Sequence, residues 1–282
     1  MLQICSLLVE MGIDKIRITG GEPFVRKDIM KFLTALSKLG GLKELTITTN
    51  GVLTAPHVKD LKALGIKSVN LSLDTLDANR FFGITGRDEL AEVMHTMHEL
   101  LKYGIEVKIN AVVMDGKNTQ DIIPLVALTK ELPVSVRFIE EMPFNGDGHV
   151  YNGLKWDHVR ILDEISAAFP GIEKVPDPLF STSYNYAIHG HQGSVGIIAA
   201  YSRTFCGTCN RLRITPVGSL KTCLYDDGQL NIKDLMRQGM AAGELKNVLL
   251  KAFATRAQDG WEAERLRIKD KGVHESMATI GG

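Results

Sequence analysis

The chain has 282 residues, 44% hydrophobic and 23% charged, with 33 basic residues against 33 acidic ones. That length can bury one large core and a smaller one beside it, and the even charge balance excludes a nucleic-acid or anionic-membrane partner as the global design. No apolar run reaches the roughly 18 residues of a bilayer span, no basic-then-apolar leader opens the chain, and four cysteines, three of them clustered, suit the cytosol better than a disulfide framework.

Residues 1–11 have a helical face of Ile4, Cys5, Leu7, Leu8 and Met11, ended by Gly12. Cys5 sits inside that apolar face, where a small buried core residue is expected. A strand–loop–helix unit then repeats. Strands are predicted at 15–19, 45–50, 68–74, 107–114 and 134–140, and helices with 3.6-residue apolar periods lie between them. Alternation of this kind implies parallel strands joined by right-handed crossovers, in a barrel or a doubly wound sheet.

Strand parity separates those two folds. Strands covered by helices on both faces read as continuously apolar, whereas these alternate. Ile16 and Ile18 oppose Arg17. Leu45 and Ile47 oppose Thr46 and Thr48. Val69 and Leu71 oppose Asn70 and Ser72, Val107 and Ile109 oppose Lys108 and Asn110, and Val136 and Phe138 oppose Arg137. An incomplete barrel with a polar lumen follows, unlike a closed eight-stranded barrel filled by branched side chains. Arg17, Lys108 and Arg137 directed into one cavity call for an anionic ligand. A solvated sheet face is the plainer alternative. The loops Gly20-Gly21-Glu22-Pro23 and Asn50-Gly51 fall at strand C-termini, where ligands bind in such folds and glycine permits close approach.

After Met142-Pro143 the pattern changes. A loop at 145–148, a helix over 155–169, short strands at 184–188 and 194–200, and helices at 231–236 and 244–253 are expected. The stretch TFCGTCNRLRITPVGSLKTCL (204–224) holds Cys206, Cys209 and Cys223, with a hairpin turning at Thr215-Pro216-Val217-Gly218 to bring the third cysteine beside the first two. Three thiolates without a fourth ligand suit a 4Fe-4S cluster with one open iron; zinc, with His189 or His191 as fourth ligand, is the rival. Arg211 and Arg213 flank Leu212 on one hairpin arm and supply positive charge for an anionic ligand.

KIRITGGEP (15–23), TTNG (48–51), NLSLD (70–74), RFIEEMP (137–143), CGTCNRLR (206–213) and the terminal Gly281-Gly282 together resemble the GTP 3',8-cyclases of molybdenum cofactor biosynthesis, which are radical S-adenosylmethionine (SAM) enzymes. The resemblance runs along the whole chain. It implies an α/β fold: an incomplete (β/α)6 radical SAM barrel over 1–148 and an α+β region over 149–282 carrying a second iron–sulfur cluster. It also implies a 5'-deoxyadenosyl radical that takes a ribose hydrogen of GTP before C8 is joined to C3'.

Position by position, the resemblance makes Cys206, Cys209 and Cys223 ligands of the second 4Fe-4S cluster. Arg17, Thr48, Lys108, Arg211, Leu212 and Arg213 become GTP contacts, and Gly21, Ser72 and Met142 become SAM contacts. Arg17, Arg137, Gly281 and Gly282 are the expected catalytic residues. GTP, SAM, a reductant protein, a downstream cyclic pyranopterin monophosphate synthase and a second copy of the chain are the implied partners. The family's C-x3-C-x2-C motif, which holds the SAM-binding cluster, is absent from these 282 residues, as is the first barrel strand. The expectation is a chain shortened at its N-terminus and inactive as given. The alternatives are a non-catalytic nucleotide- and cluster-binding remnant, or another radical SAM enzyme with an auxiliary cluster acting on a peptide.

Overall fold

The computed structural model describes residues 1–143, 153–228 and 230–266, which divide into two compact units. One contains Met1–Leu45 and the residues from 206 onward; the other contains Thr46–Met142 and the residues up to Phe205.

In the first unit, helix α1 (Leu2–Glu10) leads into strand β1 (Lys15–Ile18) and helix α2 (Ile29–Ser37). The backbone N–H groups of Lys43 and Glu44, where strand β2 (Glu44–Thr49) opens, both donate to the Asp14 carbonyl. Ion pairs Lys15–Glu44 at 2.7 Å and Lys43–Asp14 at 3.0 Å reinforce that edge. Ile4 and Leu8 of α1 share a core with Leu220, Ile232, Leu245, Leu249 and Ala252, although more than 200 residues separate the two sets in sequence. Each of the leucines and isoleucines contributes about 1.5–3 kcal/mol of burial, so α1 is fixed on the same core that carries the cysteine hairpin. Cys5 is 7% exposed on that helix, and burial pushes its thiol pKa up, consistent with a core residue.

The second unit is an α/β arrangement. After β2 come helix α3 (Val58–Ala63), strand β3 (Ser68–Ser72), helices α4 (Ala78–Thr85) and α5 (Leu90–Lys102), strand β4 (Glu106–Val113), helix α6 (Ile122–Glu131) and strand β5 (Val134–Glu140). Helix α7 (His158–Ala168) and strands β6 (Ile172–Lys174), β7 (Tyr184–Ile188) and β8 (Ser194–Ile198) complete it. The strands lie in the order β2-β3-β4-β5-β8-β7-β6. Pairing is parallel from β2 through β8 and antiparallel for the β8-β7-β6 edge. The mostly parallel sheet and the strand positions agree with the expected α/β class.

Two elements of the second unit depart from the pattern read in the sequence. Helix α4 was not anticipated, because a single residue, Phe81, is its only buried side chain and no period-3.6 face announces it. Its start is set instead by Asp77, whose carboxylate accepts from the Arg80 N–H at 2.8 Å. Strand β6 is three residues long with two of them exposed, too short for alternation to register.

The hairpin was legible. Strands β9 (Arg213–Ile214) and β10 (Ser219–Lys221) pair antiparallel with Ile214 opposite Leu220 and Arg213 opposite Lys221. The Gly218 N–H closes the turn onto the Thr215 carbonyl at 2.8 Å, and Gly218 takes φ +91°, a conformation glycine adopts without strain. Strand β11 (Leu230–Asn231) and helices α8 (Ile232–Arg237), α9 (Ala242–Ala254) and α10 (Gly260–Leu266) finish the first unit.

Candidate functional site

Parallel pairing puts residues that share a register on one face, and in the second unit this builds polar rungs across the sheet. One rung runs Thr48, Asn70, Lys108, Ser135, Ser194. The next runs Ser72, Asn110, Arg137, Gly196. The opposite face carries Ile47, Val69, Leu71, Val107, Ile109, Val136 and Phe138, all at 0% exposure. Strands β4 and β5 alternate buried and half-buried residues as the parity predicts, but β3 is buried at four of its five positions.

Several polar groups on those rungs lack partners. Asn70, 2% exposed, donates through Nδ2 to the Ile47 carbonyl and to Thr48 Oγ1, each at 3.4 Å, while its Oδ1 is unpartnered. Asn110 Oδ1 and Arg137 Nε are also buried without a hydrogen bond. Burial pushes the Arg137 pKa below the ordinary guanidinium range, with Glu106 pulling the other way. Buried polar groups of this kind are normally satisfied, so this face retains bonding capacity for a ligand. Lys108 is half committed already, with its ammonium 2.9 Å from Glu106. Gly196 makes room for Arg137: a Cβ there would lie 3.2 Å from Arg137 Cγ and collide with Ser183 Oγ.

Ser72 is exposed at the end of β3. It lines a cavity of about 110 Å³ with Asn50, Asp74, Thr75, Phe81 and Arg87 among its walls. That volume is well below the roughly 300 Å³ at which drug-sized sites begin. Asp74 was not singled out in the sequence, though it shares the parity of Ser72. Its Oδ1 accepts from the Val112 N–H at 2.8 Å, and burial raises its pKa to about 6. Met142 is half-buried just past β5.

Glu140, at the end of β5 and fully buried, gathers one segment around itself. Its Oε1 accepts from the His158 N–H and the Ser202 hydroxyl, both at 2.8 Å, and lies 3.0 Å from His158 Nδ1. Its Oε2 accepts from the N–H groups of Tyr201 and Ser202 at 3.0 and 2.7 Å. The sequence placed Glu140 only inside a motif. His191, a candidate zinc ligand, has its Nδ1 2.7 Å from Thr129 Oγ1 and its ring edge-on to Phe169, which commits it to the β7–β8 turn.

In the first unit, Arg17 is exposed on β1 and Gly21 lies in the loop that follows, where a Cβ would meet nothing within 4 Å. Cys206 opens a short 3-10 turn closed by the Cys209 N–H on its carbonyl at 3.1 Å; Cys223 follows β10. All three cysteines are half-buried. Burial, and the nearby Asp226, Cys206 and Cys209, raise the Cys223 pKa. Arg213 is held below its ordinary range by burial and by Arg211, and drawn back up by Cys209, Cys223 and Asp226. Its Nε is buried without a hydrogen bond. Leu212 between the arginines packs on the apolar core.

Three cysteine side chains, two of them close enough to act electrostatically on the third and set beside a desolvated guanidinium, have the donor chemistry of a thiolate-held iron–sulfur centre. Among the described residues, however, no three His, Cys, Asp or Glu side chains are gathered closely enough to grip a metal ion. The one remaining cysteine, Cys5, is a buried core residue, so the donors within these residues do not fit a second, SAM-binding cluster. Gly281 and Gly282 lie outside the described residues. No helix among the described residues is long and apolar enough to cross a membrane.

Residues 1–129 match the family described as Radical SAM superfamily, and residues 134–261 match Molybdenum Cofactor Synthesis C. A mitochondrial GTP 3',8-cyclase of Arabidopsis thaliana is 38% identical over 284 aligned positions, covering 100% of this chain and 72% of that protein. The GTP 3',8-cyclase of Clostridium perfringens is 34% identical, covering 100% of this chain and 86% of the other. Molybdenum cofactor biosynthesis protein 1 of Mus musculus is 41% identical over 88% of this chain, and the chain spans 39% of that longer protein. Among solved structures, Streptococcus suis SuiB bound to its precursor peptide SuiA aligns with a TM-score of 0.66 at 18% identity, covering 99% of this chain and 62% of that one. The structure described as native anSMEcpe with bound AdoMet aligns with a TM-score of 0.55 at 16% identity over 95% of this chain and 74% of that one. At such identities these two attest the fold alone.

Proposed function

The chain belongs to the GTP 3',8-cyclase family of radical SAM enzymes, and from that premise we propose that its own substrate is GTP. The product is (8S)-3',8-cyclo-7,8-dihydroguanosine 5'-triphosphate, the first step toward molybdenum cofactor. The observation that carries this reading is similarity along the entire chain to proteins named for that reaction.

The chain's residues take roles that their chemistry supports. Cys206, Cys209 and Cys223 hold a 4Fe-4S cluster. Arg17, Lys108, Arg211 and Arg213 offer positive charge to the triphosphate, while Thr48 and the backbone of Leu212 add polar contacts. Arg137 serves as a donor at the reacting end, with the Gly281-Gly282 tail as a further catalytic element. Gly21, Ser72 and Met142 contact SAM. When bound, SAM with its cluster supplies one-electron chemistry at a ribose C–H bond; the residues named here bind, orient and desolvate the substrate. A reductant protein, a downstream cyclic pyranopterin monophosphate synthase, a homodimeric assembly and a cytosolic setting complete the proposal.

Calorimetry tests the substrate assignment. Replacing Arg211 or Arg213 by Ala is expected to weaken GTP binding by about 1.5–3 kcal/mol each, the range of a charge-assisted hydrogen bond. Equal GTP affinity for wild type and both variants would remove GTP from this hairpin. A polypeptide limited to these 282 residues is further expected to form no 5'-deoxyadenosine with dithionite, SAM and GTP, because it offers no thiolates for the SAM-binding cluster. Catalytic SAM cleavage by that polypeptide would contradict the proposal.

A further inference from the structure

Asp226 does for Cys223 what no backbone ladder does. The third cysteine sits in a loop just past β10, and the Asp226 carboxylate closes that loop from inside. Its Oδ2 accepts three hydrogen bonds: from the N–H of Thr222 at 2.7 Å, from the Thr222 hydroxyl at 2.9 Å and from the N–H of Cys223 itself at 2.8 Å. Its Oδ1 accepts from the Gly228 N–H at 2.9 Å. Asp226 is 8% exposed and Thr222 1%, so these bonds are shielded from water and hard to replace. Gly228 is shaped for the arrangement: it takes φ +90°, and a Cβ there would collide with Ser219 Oγ. The charge also matters, since Asp226 is among the groups that offset the desolvation of Arg213.

We propose that Asp226 is a positioning residue for the thiolate site: it fixes the peptide that presents Cys223. This deepens the cluster reading above and rests on it. Residues that orient a ligand from behind typically change metal retention or activity 10–100-fold when altered, because the ligand's geometry, and not its identity, is lost. Asn at this position keeps the volume but turns one acceptor oxygen into a donor. That donor must then face either the Gly228 N–H or the three donors at Thr222 and Cys223.

The test is anaerobic reconstitution of wild type and Asp226→Asn, followed by iron release to a chelator and the EPR spectrum of the reduced protein. The metal-free proteins are compared by amide exchange at Thr222 and Cys223. Asp226→Asn is expected to lose iron about 10–100-fold faster, to show a shifted EPR signal and to exchange both amides faster. Release and spectrum equal to wild type would overturn the proposal. If Asp226→Asn fails to fold by circular dichroism, Thr222→Val decides. It removes one of the three bonds at Oδ2 and keeps the charge, so faster iron release is expected and a wild-type rate is the contrary result. Should wild type itself take up no iron, the cluster reading falls and this inference falls with it. Iron uptake by wild type with no effect of either variant sinks the inference alone.

Discussion

At the residue scale, Asp74 and Gly196 carry consequences that can be measured without any cofactor. Asp74 has a folded pKa raised from 3.8 to about 6 by burial. Between those values the folded chain holds a proton that the unfolded chain has released. Stability contributed by neutral Asp74 is therefore full below about pH 4, falls as pH rises toward 6 and is gone above it. The shift corresponds to at most about 3 kcal/mol. Asp74→Asn, which can still accept from Val112, should flatten the pH dependence of denaturant stability between pH 4 and 6; the same slope in the variant would show that Asp74 is charged throughout. Gly196→Ala places a methyl against Ser183 and Arg137. It should destabilise the second unit by about 1–3 kcal/mol through overpacking and weaken GTP binding by displacing Arg137. A variant as stable as wild type with unchanged affinity would mean that Arg137 has slack the packing does not suggest.

At the element scale, Glu140 joins the end of β5 to the start of α7 and to residues 201–202, four positions before Cys206. Glu140→Gln converts one buried acceptor into a donor facing other donors, and a mismatch of this kind costs about 1–3 kcal/mol. Chemical denaturation should register that loss, with faster amide exchange at Tyr201 and Ser202; an unchanged midpoint would show the network to be dispensable. Beyond its place in RFIEEMP, nothing in the sequence announced the role of Glu140, because its five donors come from positions 158, 201 and 202 and no local spacing encodes such a meeting. Parity, by contrast, was enough to place Thr48, Asn70, Lys108 and Arg137 on one face, since period-2 alternation is a local property that parallel pairing preserves. The hairpin was legible for the same reason: turn chemistry at 215–218 is local. The partnership of α1 with Leu220 and Leu249 was invisible, because an apolar helical face says that it is buried and not against what.

At the scale of the whole molecule, the proposed reaction requires one iron–sulfur cluster on the cysteine-bearing unit. Anaerobic reconstitution of the 282-residue polypeptide is expected to give roughly four irons per chain, one cluster on three thiolates. Iron near eight would reveal a second site, and stoichiometric zinc without iron would replace the cluster with a closed zinc centre. The most direct test extends the polypeptide in frame with a segment carrying C-x3-C-x2-C and supplies dithionite, SAM and GTP without oxygen. Mass spectrometry should then find 5'-deoxyadenosine together with the 3',8-cyclised nucleotide. Formation of 5'-deoxyadenosine while GTP is left unchanged would contradict GTP as the substrate.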